Sequence, residues 1–329
     1  MKRWNIALAG YGGVGRAIAA LLHERRGHYR TVHGADVRLT GIHRSASAIV
    51  KRDGLSLDES FAEAMSPADF LDRADATLLV EAGPTDIMSG EPGLSWISAA
   101  LAGGRHVITV SKGALVREGA SLVGLARANG LALKVSGAAA AALPTIDMIR
   151  HCAAGCPILS VEGILNATSN ALLDMMMDEH LDLAEALARA REAGIAEADP
   201  SLDIDGWDTA CKMAIIATFG LEEALGLEDM AVGGIRQVEP AQLAQWRAQG
   251  LRPRLVGRLR REGQRLTGEV ALQCYRPDDP FALVHGRNKA IRIRTDGMGE
   301  LLTMGGGSEP RATAAAALKD FEHILTASR

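Results

Sequence analysis

Short apolar runs alternate with stretches of helical periodicity through the first 135 residues. Residues 6–9 (Ile-Ala-Leu-Ala) predict a buried strand that ends at a glycine cluster. Ala17, Ile18, Leu21 and Leu22 then recur at helical spacing and stop before Gly27. Further strands are expected at 37–42, 76–80, 106–110 and 131–135, with helices at 95–102 and 114–128. Strands that alternate with helices build right-handed βαβ units and a parallel sheet.

Past Pro144 the rhythm changes. Helical patterns are expected at 181–193 and 208–225, and the later apolar runs pair as antiparallel strands. Runs at 255–259 and 266–272 flank a turn containing Glu262-Gly263. Runs at 290–294 and 300–304 flank Asp296-Gly297, a hairpin signal. A glycine loop at 305–307 introduces a closing helix at 312–327.

With 329 residues the chain is long enough for two ordinary domains. Its 36 basic and 40 acidic residues give a net charge of −4, which argues against a nucleic-acid partner. Aromatics are only 4% of the chain, too few to stack many bases. Cys152, Cys156, Cys211 and Cys274 form no CxxC pair, so inert thiols are expected and no metal site. The opening apolar run is too short for a signal peptide or a membrane span, so the expectation is a cytoplasmic protein with no membrane partner.

The segment Gly10-Tyr11-Gly12-Gly13-Val14-Gly15 fits G-x-G-x-x-G and lies between a strand and a helix. In that position Gly10 permits the turn, Gly12 admits a pyrophosphate close to backbone, and Gly15 lets the helix pack on the strand. A dinucleotide site follows. An acid at the end of the second strand would accept bonds from the adenosine ribose, but here the strand ends His43-Arg44-Ser45. Arg44 can instead hold a 2′-phosphate, with Lys51 or Arg52 assisting, so NADP is expected in preference to NAD. Asp36 sits at the wrong end of the strand.

Three further stretches carry a family resemblance. Val107-Ile108-Thr109-Val110-Ser111-Lys112-Gly113 resembles the strand and T-A-N-K-type motif of homoserine dehydrogenases. Gly163-Ile164-Leu165-Asn166-Ala167-Thr168-Ser169-Asn170 is similar to their G-I-L-N-G-T-T-N. The run from Glu197-Ala198-Asp199-Pro200 through Asp203, Gly206 and Asp208 to Lys212 matches E-x-D-P-x-x-D-x-x-G-x-D-x-x-x-K. The resemblance covers nearly the whole chain and is closest to the short form without an ACT domain.

It implies an α/β enzyme with a Rossmann-type doubly wound sheet over 1–135. An α+β substrate, catalytic and dimerisation domain would span 136–304, and a loop and helix at 305–329 would return to the nucleotide. The implied reaction is reversible oxidation of L-homoserine to L-aspartate 4-semialdehyde, in threonine and methionine biosynthesis, by a short-form chain acting as a homodimer. Lys212 would be the acid/base, with Lys112 near the nicotinamide and Asp208 organising the lysine. Glu197, Asp203, Asp208 and Thr168 would hold the substrate. Gly83, Ser111, Lys112 and Gly306 would join the glycine-rich loop and Arg44 around the cofactor. Chemistry alone asks for such a base, because a proton must leave oxygen as hydride leaves carbon.

Spacing alone leaves a second reading open, since Asp208 and Lys212 stand i, i+4 and suit an exposed helix pair. The chain also departs from the family pattern. Gly83 replaces a threonine, Ala140, Ala141 and Ala142 replace glycines, and Ala171 replaces a tyrosine. Ser136 stands where cation-binding members carry an acid. A relative acting on another small amino or hydroxy acid, or an inactive NADP-binding sensor, are the alternatives.

Overall fold

The computed structural model describes residues 1–56 and 60–328. It divides into two compact units, Met1–Ala142 with Glu309–Arg329, and Leu143–Ser308.

The first unit runs β1 (Lys2–Ala9), α1 (Gly13–Glu24), α2 (Arg26–His33), β2 (Ala35–His43), β3 (Ser47–Val50) and β4 (Ala62–Glu63). It continues with α3 (Pro67–Arg73), β5 (Leu78–Glu81), α4 (Gly93–Ala102), β6 (His106–Thr109), α5 (Gly113–Ala128), β7 (Leu133–Lys134) and α6 (Ser136–Ala140). The described strands lie in the order β4-β3-β2-β1-β5-β6-β7. From β2 to β7 the pairs are parallel, so the expected doubly wound sheet is present. At one edge β3 and β4 add antiparallel strands. These escaped the sequence reading because each is short and half-polar.

Period-two alternation sends Trp4, Ile6 and Leu8 of β1 to one face of the sheet. There they meet Ile18, Leu21 and Leu22 of α1, and Leu318 and Phe321 of the closing helix. Phe321 is buried and stands edge-on to Trp4 (5.7 Å) and Tyr29 (5.3 Å). Elsewhere Gly41 of β2 gives way to Phe70 of α3, whose ring would lie 2.7 Å from an added Cβ. Phe70 in turn packs edge-on to Trp96 of α4 at 5.5 Å.

The unit's boundary falls after 135 because α6 packs on the closing helix, where Ser136 donates from its amide (2.9 Å) and hydroxyl (2.7 Å) to buried Asp320. Lys319 also donates to the Ser136 hydroxyl at 2.8 Å.

The second unit contains α7 (Thr145–Asp147), which runs into a π turn at Met148–Cys152, then β8 (Ile158–Ile164), α8 (Ala167–Asp178), α9 (Leu183–Glu192), α10 (Ser201–Ile204) and α11 (Trp207–Ile215). After these come β9 (Met230–Val232), α12 (Pro240–Ala248), β10 (Arg252–Glu262), β11 (Arg265–Tyr275), β12 (Lys289–Thr295) and β13 (Glu300–Gly305). The order β13-β12-β8-β10-β11-β9 is antiparallel except for the β9–β11 pair. The first hairpin turns at Gly263, in the left-handed region at φ 66°. In the second hairpin the left-handed residue is Gly299 (φ 74°), and the loop spans 296–299. Asp296-Gly297 is therefore not the turn dipeptide that the sequence suggested. The helix expected over 208–225 is regular only to Ile215, then widens into a π turn at Ile216–Leu221 that stops at Glu222 (φ 60°). The last helix, α13 (Pro310–Ala327), belongs to the first unit.

Truncating Phe321 to Ala should cost about 3–5 kcal/mol, the range for emptying a buried aromatic site. Denaturant unfolding of the variant should show that loss, and a wild-type midpoint would mean that α13 does not complete the first core.

Candidate active site

In the first unit the strand order reverses between β1 and β5, and in such sheets ligands bind at the C-terminal ends of the strands flanking that point. Gly10 follows β1 with φ 96°, and an added Cβ would lie 2.3 Å from the Ala82 carbonyl oxygen. An added Cβ on Gly15 would fall 2.1 Å from the Gly10 carbonyl oxygen, so the helix can approach the strand only with glycine there. At Gly12 the same test meets nothing within 4 Å. That space lies at the start of α1, which no side chain caps, so its amides and dipole suit a pyrophosphate. Gly13 faces Pro310 at the start of α13 (3.4 Å), which brings the closing helix back to this loop. Val14 packs at the edge of the core. These residues fit a dinucleotide.

Arg44 is exposed beyond β2, with its guanidinium 3.7 Å from the centre of the Phe61 ring and 5.3 Å from that of Tyr11. Asp36 at the other end of β2 is bound by Arg38 at 2.7 Å.

Glu81, at the C-terminal end of β5, was missed by the sequence reading. It is fully buried and accepts from the Gly83 amide (2.7 Å), the Thr109 hydroxyl (2.6 Å) and the Ser111 hydroxyl (2.5 Å). Burial pushes its carboxyl above the usual range, and the bonds from Ser111, Thr109 and Gly83 oppose that rise. One carboxylate thus fixes Gly83 and Ser111 together. An acid closing a buried parallel strand was the available signal. Lys112 follows β6 half-buried at the start of α5, with its amide 3.2 Å from the Thr85 hydroxyl.

In the second unit the centre is Asn166, which joins β8 to α8. Its side-chain oxygen caps α8 by accepting from the Ser169 amide at 2.7 Å. Its side-chain nitrogen donates to Asp203 of α10 (2.6 Å) and to Asp208 of α11 (2.7 Å). The Lys212 ammonium donates to Asp208 Oδ2 (2.5 Å) and to the Leu165 carbonyl (2.7 Å). With only 15% of its side chain exposed and two fixed acceptors, Lys212 is no surface partner of an i, i+4 pair. Its third N–H has no acceptor among the described residues, which leaves one donor for a ligand. Burial, and next the Asp208 charge, push the Asp203 carboxyl up, against Asn166, Lys212 and Thr168.

The other expected residues divide. Thr168 lies on the first turn of α8, with its hydroxyl 3.4 Å from the Ile195 carbonyl. Glu197 is exposed on the loop after α9. Asp199 and Asp205 serve local structure, the first accepting from Ser201 (2.6 Å) and the second pairing with Arg236 (2.7 and 2.8 Å). Gly306 has φ 76°, and an added Cβ would lie 2.6 Å from the Leu143 amide nitrogen, so both conformation and packing call for glycine there. Asn166 and the Leu165 carbonyl were not anticipated as site groups, although both lie inside a motif that the sequence displays.

Comparison with known proteins places the whole chain in a family. Residues 144–321 match the family described as homoserine dehydrogenase, and residues 10–136 match its NAD binding domain. The NAD(+)-dependent homoserine dehydrogenase of Pseudomonas canavaninivorans is 31% identical, over 98% of this chain and 97% of its own. The homoserine dehydrogenase of Methanocaldococcus jannaschii is 29% identical over 99% of both. Among solved structures, one from Archaeoglobus fulgidus is 31% identical with a TM-score of 0.89 over 99% of both chains. A homoserine dehydrogenase from Thiobacillus denitrificans has a TM-score of 0.87 at 26% identity, covering 99% of this chain and 74% of that one. The chain belongs to the homoserine dehydrogenase family, nicotinamide-dependent oxidoreductases that interconvert L-homoserine and L-aspartate 4-semialdehyde.

Proposed function

We propose that Lys212 is the proton-transfer residue of this reaction, in a site where Asn166, Asp203 and Asp208 fix its position. The observation that carries the reading is the ammonium with two acceptors satisfied and one N–H left over. In the oxidation of homoserine a neutral Lys212 amine takes the hydroxyl proton; in the reduction its ammonium returns one to the aldehyde oxygen. The nicotinamide, when bound, supplies the hydride acceptor or donor. Glu197 and Asp203 are the candidates for the substrate amine, which needs an anionic acceptor, and the Thr168 hydroxyl is a candidate for another polar group of the substrate. Asp208 holds the Lys212 side chain in place through a 2.5 Å contact to its terminal nitrogen.

On the nucleotide side, the glycine-rich loop from Gly10 to Gly15, with Tyr11 and Val14 between, would carry the pyrophosphate. Glu81 would hold Gly83 and Ser111 toward the nicotinamide, with Lys112 beside them. We infer a preference for NADP over NAD, supported by Arg44 stacked on Phe61 and by the lack of an acid at the end of β2. The Pseudomonas relative is NAD(+)-dependent by name, so NAD is the competing reading. We further infer a homodimer in the cytoplasm, in keeping with the antiparallel sheet of the second unit and with the finding that no helix among the described residues is long and apolar enough to cross a membrane.

Three measurements check these assignments. Replacing Lys212 with Ala should lower turnover of L-homoserine by about 10²–10⁴-fold while NADPH binding, followed by fluorescence, stays at the wild-type value. Undiminished turnover would remove Lys212 from the chemistry. Replacing Arg44 with Ala should raise the KM for NADPH by about tenfold or more, the worth of a charge-assisted bond, and leave that for NADH nearly unchanged. Equal effects on both cofactors would contradict the 2′-phosphate role. The third concerns Asp203, whose folded-state pKa is raised. As pH rises, the unfolded chain ionises this carboxyl first, so the native state loses stability between the ordinary carboxylate value and the raised one. Asp203→Asn keeps an acceptor for Asn166 and should escape that loss. Its stability relative to wild type, from urea titrations between about pH 4 and 7, should therefore increase with pH; a flat difference would show that Asp203 is not penalised when charged.

A further inference from the structure

We propose that the first unit carries a divalent transition-metal site, formed by His28, His33 and Glu322, apart from the nucleotide loop and the Lys212 cluster. His28 and His33 belong to α2, and Glu322 belongs to α13. His28 Nε2 lies 3.4 Å from Glu322 Oε1, and His33 Nε2 lies 3.4 Å from Oε2 of the same carboxylate. The ligand atoms of the three residues lie within 4.8 Å of one another.

Two imidazoles turned by their Nε2 atoms onto one carboxylate place three metal-ligating atoms around one point. In a tetrahedral zinc site, with bonds of about 2.0–2.1 Å, ligand atoms stand roughly 3.3 Å apart. Both His–Glu separations have about that value, to opposite oxygens of the carboxylate, and all three ligand atoms lie within 4.8 Å, so closure on a metal needs the imidazoles to move inward onto one point. Two histidines and one glutamate are a set that zinc takes, leaving its fourth position for water. His33 is 7% exposed while His28 is 46% exposed, so the site has a fixed inner wall and an open outer one through which an ion enters.

The location indicates what the ion does. Tyr29, between the two histidines in sequence, is buried edge-on against Phe321, the residue before Glu322. Gly34 then ends α2 in the left-handed region and leads directly into the start of β2. The cluster therefore sits by the N-terminal end of β2, whereas the nucleotide residues follow the C-terminal ends of strands. A metal here ties the closing helix to α2 over the aromatic core and stabilises the unit without entering the reaction.

The test uses the full chain, stripped with a chelator and then titrated with zinc or cobalt. We expect about one ion per chain by elemental analysis, the visible absorption of tetrahedral cobalt, and a melting temperature that rises with free zinc. Glu322→Gln and His28→Ala should each weaken zinc binding by about tenfold or more and abolish the cobalt bands. Their melting in chelator and their NADPH binding should match wild type, which separates loss of the site from loss of the fold. If wild type takes up no zinc, or either variant binds it as tightly as wild type, the proposal fails; in the second case uptake belongs to the exposed thiols or other surface groups.

Discussion

The polar centre of the second unit depends on one amide. Asn166 spends its oxygen on the end of α8 and its nitrogen on two carboxylates, Asp203 and Asp208, that would otherwise repel each other. Half-buried like charges destabilise a fold unless donors and a counter-charge are supplied. Here the donor is Asn166 and the counter-charge is Lys212, itself tethered to the Leu165 carbonyl next to Asn166 in the chain. The proposed chemistry and the fold therefore rest on the same atoms. An amine held on two sides has little freedom to drift.

The nucleotide half solves a different problem, close approach. Gly10 and Gly15 leave room for backbone against backbone, and Gly12 leaves room for something outside the protein. Glu81 then links three donors from two segments, at the ends of β5 and β6. Its burial makes its charge costly, and the hydrogen bonds offset that cost. Both units hold carboxylates away from bulk water on donors supplied by other segments, neutral ones around Glu81 and an amide with an ammonium around Asp203 and Asp208.

Much of this was legible in the sequence. The parallel sheet followed from strand and helix periodicity, and the glycine spacing identified the loop after β1. Lys212 and Asp208 were marked by a motif, and the structure gives that motif a physical meaning through Asn166. What was not legible required neighbours distant in the chain. Glu81 lay at the end of an apolar run and made sense only once Thr109 and Ser111 came beside it. The edge strands β3 and β4 were too short to show a period, and α2 was hidden by its polar sequence, since Tyr29 is its only buried residue. His28 and His33 meet Glu322 through the return of α13, which no local spacing could announce. The glycine of the second hairpin was misjudged because two lay close together, and the fold takes Gly299 rather than Gly297.

The proposed proton transfer depends on the amine of Lys212. Its most direct test is chemical rescue: the Lys212→Ala enzyme, saturated with cofactor and L-homoserine, is assayed with a series of small primary amines. Turnover should return in proportion to amine concentration and increase with amine basicity, as a general base requires. Turnover that no amine restores, or restoration that ignores basicity, would mean that the proton leaves by another route.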